Sequence, residues 1–100
     1  SIILIPSYVF AIPVSVQISG LDETMEQNAF ESLSLVQQAK QKDLSAQEIQ
    51  LLEARGRNEI EVSLQPFGYY HPKIESQLIR SKKNVLVTYQ ITLNQVTRID

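Results

Sequence analysis

The strictest pattern in the chain lies near its end. From Val85 to Leu93, apolar residues at Val85, Val87, Tyr89, Ile91 and Leu93 alternate with Leu86, Thr88, Gln90 and Thr92. A period of two sends successive side chains to opposite faces of a strand, so this segment is a strand with one unbroken apolar face. Such a face has to be covered, which demands a sheet backed by a second layer. Two shorter stretches repeat the pattern. Val14-Ser15-Val16-Gln17-Ile18-Ser19 alternates and ends at Gly20, and Ile74, Ser76 and Leu78 face one way against Glu75 and Gln77. Ser81-Lys82-Lys83-Asn84 is placed as the hairpin turn between the last two strands. The last strand has the longest apolar face and is expected at the centre.

Between the first strand and the other two, the period changes to that of a helix. Asp22 is a suitable N-cap, with Glu23 in the first turn. Met25, Ala29, Leu33 and Val36, with Phe30 beside them, form one stripe. Lys40-Gln41-Lys42-Asp43 reads as a polar connector. Ser45-Ala46-Gln47-Glu48 is a capping box that opens a second helix, striped by Ile49, Leu52, Gly56, Ile60, Leu64 and Phe67. Gly56 costs about 1 kcal/mol of helix propensity relative to Ala, which close approach of the first helix or the sheet would offset. Pro66 ends or kinks the last turn, and Gly68 is placed as the left-handed C′ residue. The expected fold is α+β, in the order β-α-α-β-β, with two helices on one face of a three-stranded mixed sheet.

One hundred residues suffice for one such domain and not for two. Hydrophobic residues at 43% and charged residues at 20% suit a packed domain rather than a disordered tail. The absence of cysteine excludes disulfides, thiolate zinc sites and thiol nucleophiles, and one histidine cannot build a multi-histidine metal site. A net charge of −2 argues against a nucleic-acid binder. Glu23 with Glu26, or Glu59 with Glu61, would serve as acid–base pairs only beside a nucleophile, an oxyanion loop or a phosphate cradle. None accompanies them, so they read as solvated helix faces. His71 reads as a solvated loop residue, and Arg55-Gly56-Arg57 is too small a basic cluster for nucleic acid. No catalytic constellation, metal site or cofactor is expected.

Residues 1–11 are almost wholly apolar and uncharged, too short for a membrane span of ~20 residues, and Pro6 would interrupt one. The run suits the end of a signal sequence, with Val9 and Ala11 three residues and one residue before a cut that would start the mature chain near Ile12. A buried first strand is the other reading of this segment.

Phe67-Gly68-Tyr69-Tyr70-His71-Pro72-Lys73-Ile74 carries a family likeness. A helix ending in Gly-Tyr-Tyr, then Pro, then an alternating strand resembles the polypeptide-transport-associated (POTRA) domain, most closely the first such domain of TamA-type outer-membrane assembly factors. Val16-Gln17-Ile18-Ser19-Gly20-Leu21 looks like its first strand and turn, and Val85 to Leu93 like its last strand. Asn94-Gln95 stands where the family has a Gly-Pro-like turn into the next domain. The resemblance implies a POTRA-like domain over residues 12–95, a link to a following domain over 96–100, and further POTRA domains and a β-barrel in the parent protein. It also implies a periplasmic, non-enzymatic module of a Gram-negative outer-membrane protein. The partners implied are an inner-membrane-anchored, periplasm-spanning subunit of TamB type, client outer-membrane proteins (autotransporters among them), or both.

The candidate binding segment is Lys73-Ile74-Glu75-Ser76-Gln77-Leu78-Ile79-Arg80. At a sheet edge it would accept an extended peptide as an added strand. Equally, Lys73, Arg80, Lys82 and Lys83 would protect such an edge against aggregation. Gln77→Pro is the substitution expected to remove a free donor and block strand addition. Gly68, Tyr69, Tyr70 and Pro72 form the structural motif before it: a helix cap with one ring in the core and one at the rim, or an aromatic platform for peptide. Two other roles fit the pattern. One is a POTRA-like domain of a cell-division or two-partner secretion protein with one fixed partner. The other is a KH-like RNA binder, against which stands the connector Lys40-Gln41-Lys42-Asp43-Leu44, which lacks the GXXG loop.

Overall fold

The computed structural model describes residues 13–93. The expectations for residues 1–11, for Ile12 as the first mature residue and for residues 94–100 lie outside the described residues. Strand β1 (Val14–Ser19) leads to helices α1 (Glu23–Ser32), α2 (Ser34–Gln41) and α3 (Ala46–Leu64). A 3₁₀ turn over Gln65–Phe67 precedes β2 (Lys73–Arg80) and β3 (Val85–Thr92). The sheet order is β1-β3-β2, with β1 parallel and β2 antiparallel to β3. The expected α+β architecture and the central last strand both stand.

The first helical arm is two helices rather than one. Leu33 is extended, at φ −77° and ψ 120°, and serves as C-cap of α1 and N-cap of α2. Leu33, Leu35 and Val36 are all buried. In a continuous helix, positions 33 and 35 stand about 200° apart, so one stripe cannot bury both; the break rotates α2 until it does. Asp22 caps α1 by accepting the Met25 amide at 2.8 Å.

The core is one cluster, formed by Ile18 of β1, Met25 and Ala29 of α1, Leu33 at the break, Leu35 and Val36 of α2, and Leu44 before α3. Ile49, Leu52, Ile60 and Leu64 of α3 and Val85, Val87, Tyr89 and Ile91 of β3 complete it. Val16 and Leu78, each on the alternating apolar face of its strand, are only half-buried. Both lie on the outer strands of the sheet, where among the described residues one flank has no strand beside it. Phe67 leaves the α3 stripe as well and is 40% exposed, because the helix gives way to the 3₁₀ turn at Gln65 before the stripe reaches it. Leu44 immediately precedes the capping box of Ser45 and Glu48. Its burial with Ile49 is a hydrophobic staple, N′ against N4, that fixes the angle at which the chain enters α3.

Candidate functional site

The entry to β2 is a helix terminus of defined geometry. The Tyr69 amide donates to the Leu64 carbonyl at 3.2 Å and the Gly68 amide to the Gln65 carbonyl at 2.9 Å. These are the two bonds of a Schellman motif, with Gly68 at φ 94° as the left-handed C′ residue. Tyr69 packs against the core cluster and Tyr70 is 57% exposed, so the geometry is that of a cap with one ring inside and one at the rim. Pro72, half-buried, then carries the chain into β2, and His71 is exposed.

Among the described residues, strand β2 is an edge of the sheet. The Ser81 amide donates to the Asn84 carbonyl at 2.9 Å across the turn. Antiparallel pairs alternate between bonded and non-bonded. Counting back through the register therefore makes Ile79–Leu86, Gln77–Thr88, Glu75–Gln90 and Lys73–Thr92 the bonded pairs. Ile74, Ser76, Leu78 and Arg80 turn their own amides and carbonyls to the open flank. This phase corrects the expected probe: a proline at Gln77 would remove a ladder bond to β3, whereas one at Leu78 would remove a donor at the open edge.

Behind β2 a polar cluster ties the edge to α3. The Ser76 hydroxyl donates to the Glu53 carboxylate, and the Arg57 guanidinium donates to Ser76 Oγ at 3.0 Å while pairing with Glu53 at 3.7 Å. The Tyr89 hydroxyl donates to the Glu53 carbonyl at 2.9 Å. Burial, reinforced by the negative charges of Glu53 and Glu59, pushes the Tyr89 phenol well above its ordinary range. No local pattern in the sequence marks Glu53. The signal for it is Ser76, a half-buried polar residue on the face shared with Ile74 and Leu78, because a hydroxyl turned towards the core needs a partner. Glu59 also departs from the expected solvated face. It is half-buried and accepts both the Ser34 amide, at 2.9 Å, and the Ser34 hydroxyl.

Of the eight β2 residues, Lys73, Glu75, Gln77, Ile79 and Arg80 are exposed, Ile79 at 49%. Lys82 and Lys83 are exposed at the adjoining turn. Among the described residues, the edge thus offers backbone with no strand beside it, one exposed apolar side chain and a predominantly basic border.

Residues 15–93 match the family model described as POTRA domain TamA domain 1. The match spans more than half of the chain, and the chain belongs to that family. Comparison with curated proteins gives no match. POTRA domains of this type are protein-interaction modules, generally non-enzymatic, associated with outer-membrane protein transport and assembly, and they are periplasmic in Gram-negative outer-membrane proteins.

Proposed function

We propose that this POTRA domain works in the periplasm as a docking module of an outer-membrane assembly factor, and that it receives an extended segment of another polypeptide as a fourth strand along β2. The observation that carries the reading is the open flank of β2, where Ile74, Ser76, Leu78 and Arg80 direct unpaired amides and carbonyls outward. Strand addition draws its affinity from main-chain bonds and makes little demand on sequence, which suits a module meeting many clients. The segment belongs to an inner-membrane-anchored, periplasm-spanning subunit of TamB type or to a client outer-membrane protein. The anchoring of Ser76 to Glu53 favours a rigid edge, since a held strand loses less freedom when a partner adds to it.

The experiment is a pair of substitutions in the full-length protein. Leu78→Pro removes an outward donor and retains the ladder to β3, and Leu78→Ala reports the lost packing alone. Partner binding and client insertion should fall for Leu78→Pro and stay near the parent for Leu78→Ala. A folded Leu78→Pro protein that binds and inserts like the Ala variant would end this reading and leave the basic residues as edge protection.

A further inference from the structure

The two ends of the sheet carry opposite charge. Residues 13–39 hold Asp22, Glu23, Glu26 and Glu31 and neither Lys nor Arg, whereas Arg80, Lys82 and Lys83 cluster at the β2–β3 turn. Val14 lies beside Val85 and Ser19 beside Gln90, so that turn stands at one end of the sheet and the start of α1 at the other. The 3₁₀ turn shares the second end, because Lys73, which opens β2 shortly after it, pairs with Thr92. A strand of this length separates the two ends by about 25 Å, so they do not meet within one copy. At the second end, α1 and the 3₁₀ turn enclose a groove of about 540 Å³. Glu23 and Glu31 line it, about 12 Å apart along the helix, and Pro66 and Phe67 form its apolar wall. The Asn28 side-chain amide donates to the Ser63 carbonyl at 3.2 Å and ties α1 to the end of α3, so the groove is preformed.

The β2–β3 turn has the matching features. The Asn84 amide donates to Ser81 Oγ at 3.2 Å, which fixes the turn and presents Lys82 and Lys83, both exposed. Beside them Ile79, 49% exposed, pairs with Leu86 on the face turned away from the helices. Among the described residues the ion pairs are Lys42–Glu48 and Glu53–Arg57, so Glu23, Glu31, Arg80, Lys82 and Lys83 are not ion-paired within their own copy. We infer that the groove between α1 and the 3₁₀ turn is a self-docking site, and that its occupant is the β2–β3 turn of a second copy. Ile79 packs on Pro66 and Phe67, and the cations of the turn reach Glu23 and Glu31. An extended segment would find little backbone to bond there. α1 is helical, Pro66 has no amide, and the Leu64 and Gln65 carbonyls already accept from Tyr69 and Gly68. Recognition therefore rests on side chains, which suits a fixed turn that joins an apolar residue to a basic tip. Every copy carries both halves of the contact, so it is reciprocal in a closed pair and repeats in an open chain. It uses side chains of the turn rather than the open flank of β2, and it stands independently of the role proposed for that strand.

The test is sedimentation of the full chain over a range of concentrations. At low salt it should show self-association that weakens as salt is added. Lys82→Glu with Lys83→Glu should weaken association about tenfold, as should Glu23→Lys with Glu31→Lys. Mixing these two proteins should restore it, because each groove then meets a turn of opposite charge. Combining both swaps on one chain should restore it too. Phe67→Ala should weaken association with all the charges intact. Leu78→Pro should leave it unchanged, which separates this contact from pairing along β2. A parent that stays monomeric at every concentration would overturn the inference. So would association that survives either swap, a mixture no stronger than its components, or loss of association in Leu78→Pro. If Glu23→Lys unfolds the start of α1, Gln27→Lys with Glu31→Lys carries the same swap, since Gln27 lines the same groove.

Discussion

Gly56 and Tyr89 fit together with no room to spare. A β-carbon at Gly56 would lie 2.2 Å from the Tyr89 hydroxyl oxygen and 2.9 Å from Cδ2 of Leu33. The missing side chain lets α3 settle against both the sheet and the α1–α2 break. It also brings the Tyr89 hydroxyl within hydrogen-bond reach of the Glu53 carbonyl, one turn earlier on α3. A glycine that weakens the helix locally thus permits the contact that closes the two layers.

Gly56→Ala should destabilise the domain although Ala is the better helix former. Propensity alone would add about 1 kcal/mol, whereas overpacking a full core typically costs about 1–3 kcal/mol, and the ring of a buried, hydrogen-bonded tyrosine has little freedom to move. The urea midpoint should fall. Adding Tyr89→Phe should recover part of the loss by removing the nearest atom, so the two substitutions should couple favourably in a double-mutant cycle. Simple additivity would show that the layers yield at this point.

At Gly68 the reason for glycine is different. A β-carbon there would meet nothing within 4 Å, and the only penalty is φ at +94°. Gly68→Ala should therefore lose about 1–2 kcal/mol, the left-handed penalty for an L-residue, with Gly68→Asn losing less. Equal midpoints for the Ala and Asn variants would indicate that the cap relaxes to another conformation.

The capping box supplies a pH dependence. The Glu48 carboxylate accepts the Ser45 amide at 3.0 Å and pairs with the Lys42 ammonium at 2.9 Å. The Ser45 bond above all, then Lys42, holds its pKa at about 2 instead of 4.5. A carboxyl whose pKa is lower folded than unfolded contributes stability that is present above pH 4.5 and is lost as pH falls towards 2. Urea midpoints should decline through that window, and Glu48→Gln should decline less steeply. Because the pair is exposed to solvent, added salt should also reduce the difference between the two proteins.

Much of the fold was legible because its signals are local. The alternation from Val85 to Leu93 specifies a central strand without reference to anything else. The same holds for the Ser45 capping box, and for Gly68 before Tyr69. Gly56 signalled a close approach, although not its partner. The break at Leu33 was illegible because Ser34, the first residue of α2, is satisfied from Glu59, 25 positions away. The burial of Leu44 needed the staple to be read together with the box. The proposed docking edge is illegible for a third reason. Side-chain alternation shows which residues face the core, but which backbone groups face the open flank depends on the hairpin bond at Ser81 and Asn84. That is why the blocking position moves from Gln77 to Leu78.

The contact between Ser34 and Glu59 yields the last prediction. Helix α2 has no capping side chain of its own, and Leu33 before it offers none. The Glu59 carboxylate takes the Ser34 amide and hydroxyl, so α3 supplies the cap across the layer. Removing a capping group costs typically about 1 kcal/mol, so Glu59→Ala should lower the urea midpoint by that order. The loss should appear locally as well, as faster amide exchange at Ser34, Leu35 and Val36 with little change in β3, because opening α2 does not require opening the sheet. Ser34→Ala should lose less than Glu59→Ala, since it retains the amide bond and gives up only the hydroxyl. A double-mutant cycle between the two positions should show their coupling. Uniform acceleration of exchange across α2 and β3 would mean instead that Glu59 supports the whole domain, and that the two helices of the first arm do not open separately.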